Sequence, residues 1–213
     1  MGTYNKGILG AFSGKVGPVV GASWRGKDVM RSLPRKTSRV ATATQLLQRE
    51  KFTMVTEFLT PLNSVVGRYF GNNTGDKTRR NQAMSYLMRE AINYVDPDLV
   101  WDFSQVLISR GDLLGMTGAA VAAGTGQSVD ITWTDNSGQG DAETSDKLVV
   151  VLYEATTKTT VHALNAGMRN QGTGNIIVPA FLTGLTVQVW ATFASTDDKR
   201  YATSQYLGTV VIA

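Results

Sequence analysis

Cysteine is absent from this 213-residue chain and histidine occurs once. No disulfide framework, thiolate metal centre or cysteine nucleophile can exist, so the fold must rest on burial alone. A His/Cys zinc site is excluded with them. The one histidine, His162, lies between Val161 and Ala163 in a segment that reads as a strand. A Ser-His-Asp triad would have to be built on it, and no G-x-S-x-G elbow supplies the serine, so it reads as a surface or strand-edge residue. Gly10 to Gly17 has the glycines of a phosphate loop without the Lys-Ser/Thr that such a loop needs. No run approaches the ~18 apolar residues of a membrane span. Met1 to Lys6 lacks the charged and apolar regions of a secretory signal. These absences predict a non-enzyme, made in the cytoplasm without export, with no cofactor and no small-molecule substrate.

What is present is a foldable composition with an uneven charge. Hydrophobic residues make up 42% and charged residues 18%, far from the signature of disorder. Residues 1–80 carry fourteen Lys/Arg against four Asp/Glu, a net +10, so the whole-chain +4 leaves −6 for the remainder. Such polarity marks a chain with one part facing an anionic partner, or simply a solvated basic face.

Seven glycines fall in the first 26 residues. At about 1 kcal/mol each relative to Ala they argue against a helix. Val16 to Trp24 and Lys27 to Leu33 read instead as two strands joined around Arg25-Gly26, a basic hairpin arm over residues 1–41. A glycine-rich hairpin has little core of its own and needs this chain or a neighbouring copy to lie against.

A helical region is expected over residues 42–102. Thr42 and Gln45 form a capping box, and Leu47, Phe52, Val55, Phe58, Leu59 and Leu62 keep helical spacing. Thr60-Pro61 starts a second piece running to Phe70, stopped by Gly71. Thr78 caps a third helix running to about Tyr94. From Phe103 the pattern becomes short β-branched runs broken by turn residues. It predicts strands at 104–110, 117–121, 128–134, 147–154, 159–164, 174–179, 186–194 and 201–212. Alternation through Val129, Ile131 and Trp133 makes Trp133 a core residue. The fold class is therefore α+β, with an immunoglobulin-like or fibronectin-III-like β-sandwich over residues 103–213.

Three groups of residues are candidates for binding. Trp24, Arg25, Lys27, Arg31, Arg35, Lys36 and Arg39 interleave an aromatic with cations. Alternation would set Arg25, Lys27 and Arg31 on one side, suited to tracking the phosphates of a nucleic acid or meeting an acidic protein partner, while Trp24 packs on the other side or stacks on a base. Val16, Val19, Val20, Trp24 and Trp190 are candidates for a subunit interface. Trp190 falls among the polar residues of its strand, as an outward anchor or as a residue packed under a loop or the helical region. The loop from Asp135 to Asp146 resembles an EF-hand calcium loop, with Asp135, Asp141, Glu143 and Asp146 as ligands. Asp146 stands where a bidentate glutamate belongs and strands flank the loop, so a solvated inter-strand loop is the competing reading.

The segments Gly7 to Gly21, Ser23 to Gly26, Met30 to Pro34, Ile108 to Leu113, Ile131 to Asn136 and Ser204 to Gly208 resemble an uncharacterised family widespread in Bacteroidota. The resemblance spans nearly the whole chain and implies context without catalytic residues. Together these features lead to the expectation of a self-assembling homo-oligomeric structural protein, a bacteriophage or phage-like virion component such as capsid, coat or tail. A nucleic-acid-binding module is the alternative. A surface adhesin or glycan-binding protein is the second alternative, disfavoured by the missing signal.

Overall fold

A computed structural model describes residues 2–4, 10–24, 27–34, 40–73 and 77–213, with two compact units, Met1–Ala43 and Thr44–Ala213.

In the first unit, β1 (Gly2–Tyr4), β2 (Phe12–Val16), β3 (Val19–Trp24) and β4 (Lys27–Ser32) form one antiparallel sheet in that order. The expected single strand from Val16 to Trp24 is thus two strands. Val16 pairs with Val19 across Gly17-Pro18, where Gly17 takes a φ of +57°. Proline has no N–H for a ladder, and glycine alone adopts that left-handed turn at no steric cost. The Lys27 strand and its pairing across residues 25–26 are as expected, with Trp24 opposite Lys27. At Gly21 the sheet depends on a missing side chain, because a Cβ there would lie 2.1 Å from the Phe12 carbonyl oxygen.

In the second unit, α1 (Ala43–Leu59), α2 (Asn63–Tyr69) and α3 (Arg79–Glu90) precede the strands. Thr78 caps α3 by accepting the Asn81 amide at 3.2 Å. The third helix does not reach Tyr94. Ile92–Val95 (β5) pairs instead with Asp98–Trp101 (β6), because β-branched and aromatic residues around Asp96-Pro97 favour a hairpin over a helical turn. The strand expected at 104–110 is also absent. A 3₁₀ turn at Phe103–Gln105 leads into irregular chain, whose buried Ile108 and Ser109 amides donate to the Ser204 hydroxyl. Side-chain oxygen replaces a strand partner there.

Two antiparallel sheets complete the unit. One has the order β10 (Thr159–Ala163), β9 (Lys147–Glu154), β12 (Thr186–Ala194), β13 (Gln205–Val211), and the other β11 (Thr173–Ile177), β8 (Ser128–Thr134), β7 (Thr117–Ala123). Alternation sends Leu148, Val150 and Leu152 of β9, with Val189, Ala191 and Phe193 of β12, into a core shared with Val129, Ile131 and Trp133. The opposite face, with Val149, Val151, Tyr153 and Trp190, packs under the helices against Val55, Phe58 and Leu62. The fold is therefore mixed α and β in three layers: helices, a four-stranded sheet and a three-stranded sheet. Trp133 is a core residue as expected, its indole N–H donating to the Arg169 carbonyl at 2.7 Å.

Candidate functional site

The N-terminal sheet carries two different faces. Residues directly opposite in an antiparallel pair share a face, so the register Trp24↔Lys27, Val20↔Arg31 and Lys15↔Val20 collects Trp24, Lys15, Lys27 and Arg31 on one side. Asp28, opposite Ser23, belongs to the other. Of the two places expected for Trp24, the side opposite Lys27 and Arg31 is thereby corrected, since it shares their face. The second face holds Phe12, Val16, Val19 and Met30 around Gly21. The interface candidates are divided in the same way, Val16 and Val19 on the apolar face, Val20 and Trp24 on the basic one. Of the strand residues described, Gly21 alone is buried, while Trp24 is 57% and Met30 73% exposed. Arg25, Arg35, Lys36 and Arg39 lie outside the described residues.

Trp190 is the residue packed under the helical region. It is fully buried, 6.1 Å from the Phe58 ring and 5.5 Å from the Tyr206 ring. A subunit contact through it is ruled out by that packing.

The carboxylates of Asp135, Asp141 and Asp146 are engaged separately, and Glu143 contributes its backbone amide, which donates to Asp146 at 3.0 Å. Asp135 accepts the Ser137 amide at 2.9 Å, a bond that holds its pKa below the ordinary value. Asp141 pairs with Arg200. Asp146 is buried and pairs with Arg169 Nε at 2.9 Å. Among the described residues no group of three or more acidic or histidine side chains could hold a metal ion. The buried Arg169 is what the loop is built around. Its other nitrogens donate to Asn136 Oδ1 at 2.6 Å and the Leu114 carbonyl at 2.8 Å, and its guanidinium lies 4.1 Å from the Phe193 ring centroid. Burial lowers its pKa, against the raising effect of Asp146. The sequence signal was present as a lone arginine between turn residues, but nothing in its spacing marked it as buried.

His162 sits in β10 with Nε2 2.8 Å from Ser64 Oγ of α2. Among the described residues no carboxylate bonds the imidazole, so the pair lacks the orienting acid of a triad. It joins the helical layer to the sheet.

A cleft of about 530 Å³ opens between α1, β6 and the end of β9. Its floor is apolar and aromatic, with Met54, Leu99, Trp101 and Tyr153. Tyr153 is 5% exposed, with its ring edge-on to Phe58 at 5.0 Å. Its hydroxyl makes no hydrogen bond with any described residue. Burial pushes its pKa up, and the charges of Glu154 and Glu57 push it further. The rim carries Glu50 and Glu57 from one face of α1, seven residues apart, and Lys158, which pairs with Glu57 at 2.8 Å. Glu50 makes no ion pair among the described residues. No run of sequence announces this cleft, because its walls come from three distant segments.

No helix among the described residues is long and apolar enough to cross a membrane. No curated protein matches the chain. The chain belongs to a family of unknown function, DUF6266, which matches residues 11–208.

Proposed function

We propose that this member of DUF6266 is a self-assembling structural protein, a virion or virion-like particle component, and that its N-terminal sheet makes the subunit contact. The observation that carries this reading is the sheet itself. One of its faces gathers Phe12, Val16, Val19 and Met30, with Ser23 and Asp28 at one end, and its edge strand, β4, has all six residues exposed. A small sheet of this kind is marginal alone, and the outer edge of β4, unpaired among the described strands, is a template for another chain. Large apolar side chains left exposed, as Met30 and Val16 are, suit a protein contact.

Residues 103–213 are read as a fibronectin-III-like sandwich. The seven strands β7 to β13 divide three and four, and the fourth of them, β10, pairs with the third, β9. That strand order, together with the core tryptophan Trp133, supports the reading.

Size-exclusion chromatography with light scattering, followed by electron microscopy, tests the assembly. The expected result is a multimer with regular particles or filaments, weakened by Met30→Asp or Val16→Asp. A monomer at all concentrations would overturn it.

A second reading, nucleic-acid binding, is favoured by one observation, the shared face of Trp24, Lys15, Lys27 and Arg31. Stacking on an exposed tryptophan flanked by cations suits single strands. Affinity for an oligonucleotide should then fall steeply with salt and drop on Lys27→Glu/Arg31→Glu, while salt-independent or absent binding counts against it.

A further inference from the structure

The cleft between α1 and β6 asks for a particular ligand chemistry. An aromatic floor under carboxylates attracts a cation on an apolar stem, since the rings present negative π-faces and the acids supply charge. Glu50 is an acid without an ion-pair partner among the described residues, and Tyr153, 5% exposed, lines the cleft with a hydroxyl that has no hydrogen-bond partner among them. Lys and Arg side chains meet both demands, with methylene stems for Met54 and Trp101 and donors for Glu50 and Tyr153.

A source of such side chains lies in the same chain. Residues 1–43 hold eight Lys/Arg against one Asp, a net +7, which leaves −3 for residues 44–213. Lys27 and Arg31 stand on the exposed β4, on one face with Trp24. We infer that the cleft is the acceptor for Lys27 or Arg31 of a second copy of this chain. This rests on the assembly reading above and deepens it, because it names the partner surface. Donor and acceptor are different surfaces, so the contact is heterologous. Copies joined this way run head to tail and either close into a ring or extend as a filament.

The test uses the full chain. Glu50→Lys/Glu57→Lys should weaken assembly at least tenfold by light scattering, as should Lys27→Glu/Arg31→Glu. Mixing the two variants should restore a heteromeric contact. Glu50→Gln/Glu57→Gln provides a milder variant that keeps side-chain shape, and circular dichroism with a thermal melt checks that each protein folds. If the wild type assembles and both the Lys and Gln pairs assemble equally well, the cleft assignment is overturned and the assembly reading stands. If the wild type is monomeric, the assembly reading fails. The cleft is then judged by titrating a synthetic peptide of residues 27–36 into the full chain and following the Trp101 indole by NMR. Binding that is lost in the Gln variant supports the cationic acceptor. No shift, or a shift produced by a neutral oligosaccharide and not by the peptide, overturns it.

Discussion

The N-terminal sheet and the β10-β9-β12-β13 sheet have the same number of strands and the same antiparallel pairing, and they treat side chains in opposite ways. In β9 every residue but Lys147 is buried, on both faces. In β4 none is. The first is rich in glycine and small residues, so it has no volume with which to fill a core, and its large apolar side chains remain accessible. The second supplies alternating large residues to two cores at once. Hydrogen-bonded pairing alone does not decide burial; side-chain volume on each face does.

Substitutions can break this contrast. The largest loss should follow Arg169→Ala, which leaves Asp146 buried without its cation. Removing one partner of a buried pair costs about 3–5 kcal/mol, read by urea denaturation of the main transition. A loss below about 1 kcal/mol would mean that water replaces the guanidinium. Next, Trp190→Ala should cost roughly 3–4 kcal/mol, while Trp24→Ala should fall within about 0.5 kcal/mol in dilute protein. Equal effects would erase the distinction between the two sheets. Trp190→Phe should be milder than Trp190→Ala, because the buried indole N–H has no acceptor among the described residues to lose.

Acid supplies a smaller effect. Burial would raise the Glu154 pKa, but the Thr157 hydroxyl and the Thr156 and Thr157 amides all donate to it and hold it at about 2. A depressed folded pKa contributes stability that is present above the ordinary carboxylate range and lost as pH falls through about 2. An NMR titration should place Glu154 near that value, and Glu154→Gln should flatten this part of the acid dependence. The smallest expected change is Val29→Thr on β4, without measurable effect on the melt, since the residue is exposed and the substitution keeps the β-branch.

These contrasts were unevenly visible in the sequence. The strands at 128–134, 147–154 and 186–194 could be placed to the residue, because strict alternation or a continuous apolar run between turn residues has few other readings. Trp190 misled because its neighbours on the same face, Gln188 and Thr192, are polar. Within the fold both are satisfied, Gln188 accepting the Tyr206 hydroxyl at 2.5 Å and Thr192 donating to the Ala202 carbonyl at 3.0 Å. Polar residues on a buried face look like a solvent face when only spacing is read. Trp24 misled for a geometric reason. Strand alternation separates residues three apart, but the pairing of β3 with β4 sets Trp24 opposite Lys27 on one face. The candidate cleft was invisible because no local pattern joins Glu50, Trp101 and Tyr153.

The two-sided burial of β9 also bears on how the chain can be cut and reused. A fragment beginning at residue 103 would retain all seven strands of the β part, and by size alone it would look like a portable domain. It would also carry Val149, Val151, Tyr153 and Trp190 stripped of Val55, Phe58 and Leu62. Such a piece should aggregate or refuse to express, whereas a graft that carries residues 44–213 together should behave. For this chain the smallest piece that keeps both faces of β9 covered is then the helices and the two sheets together.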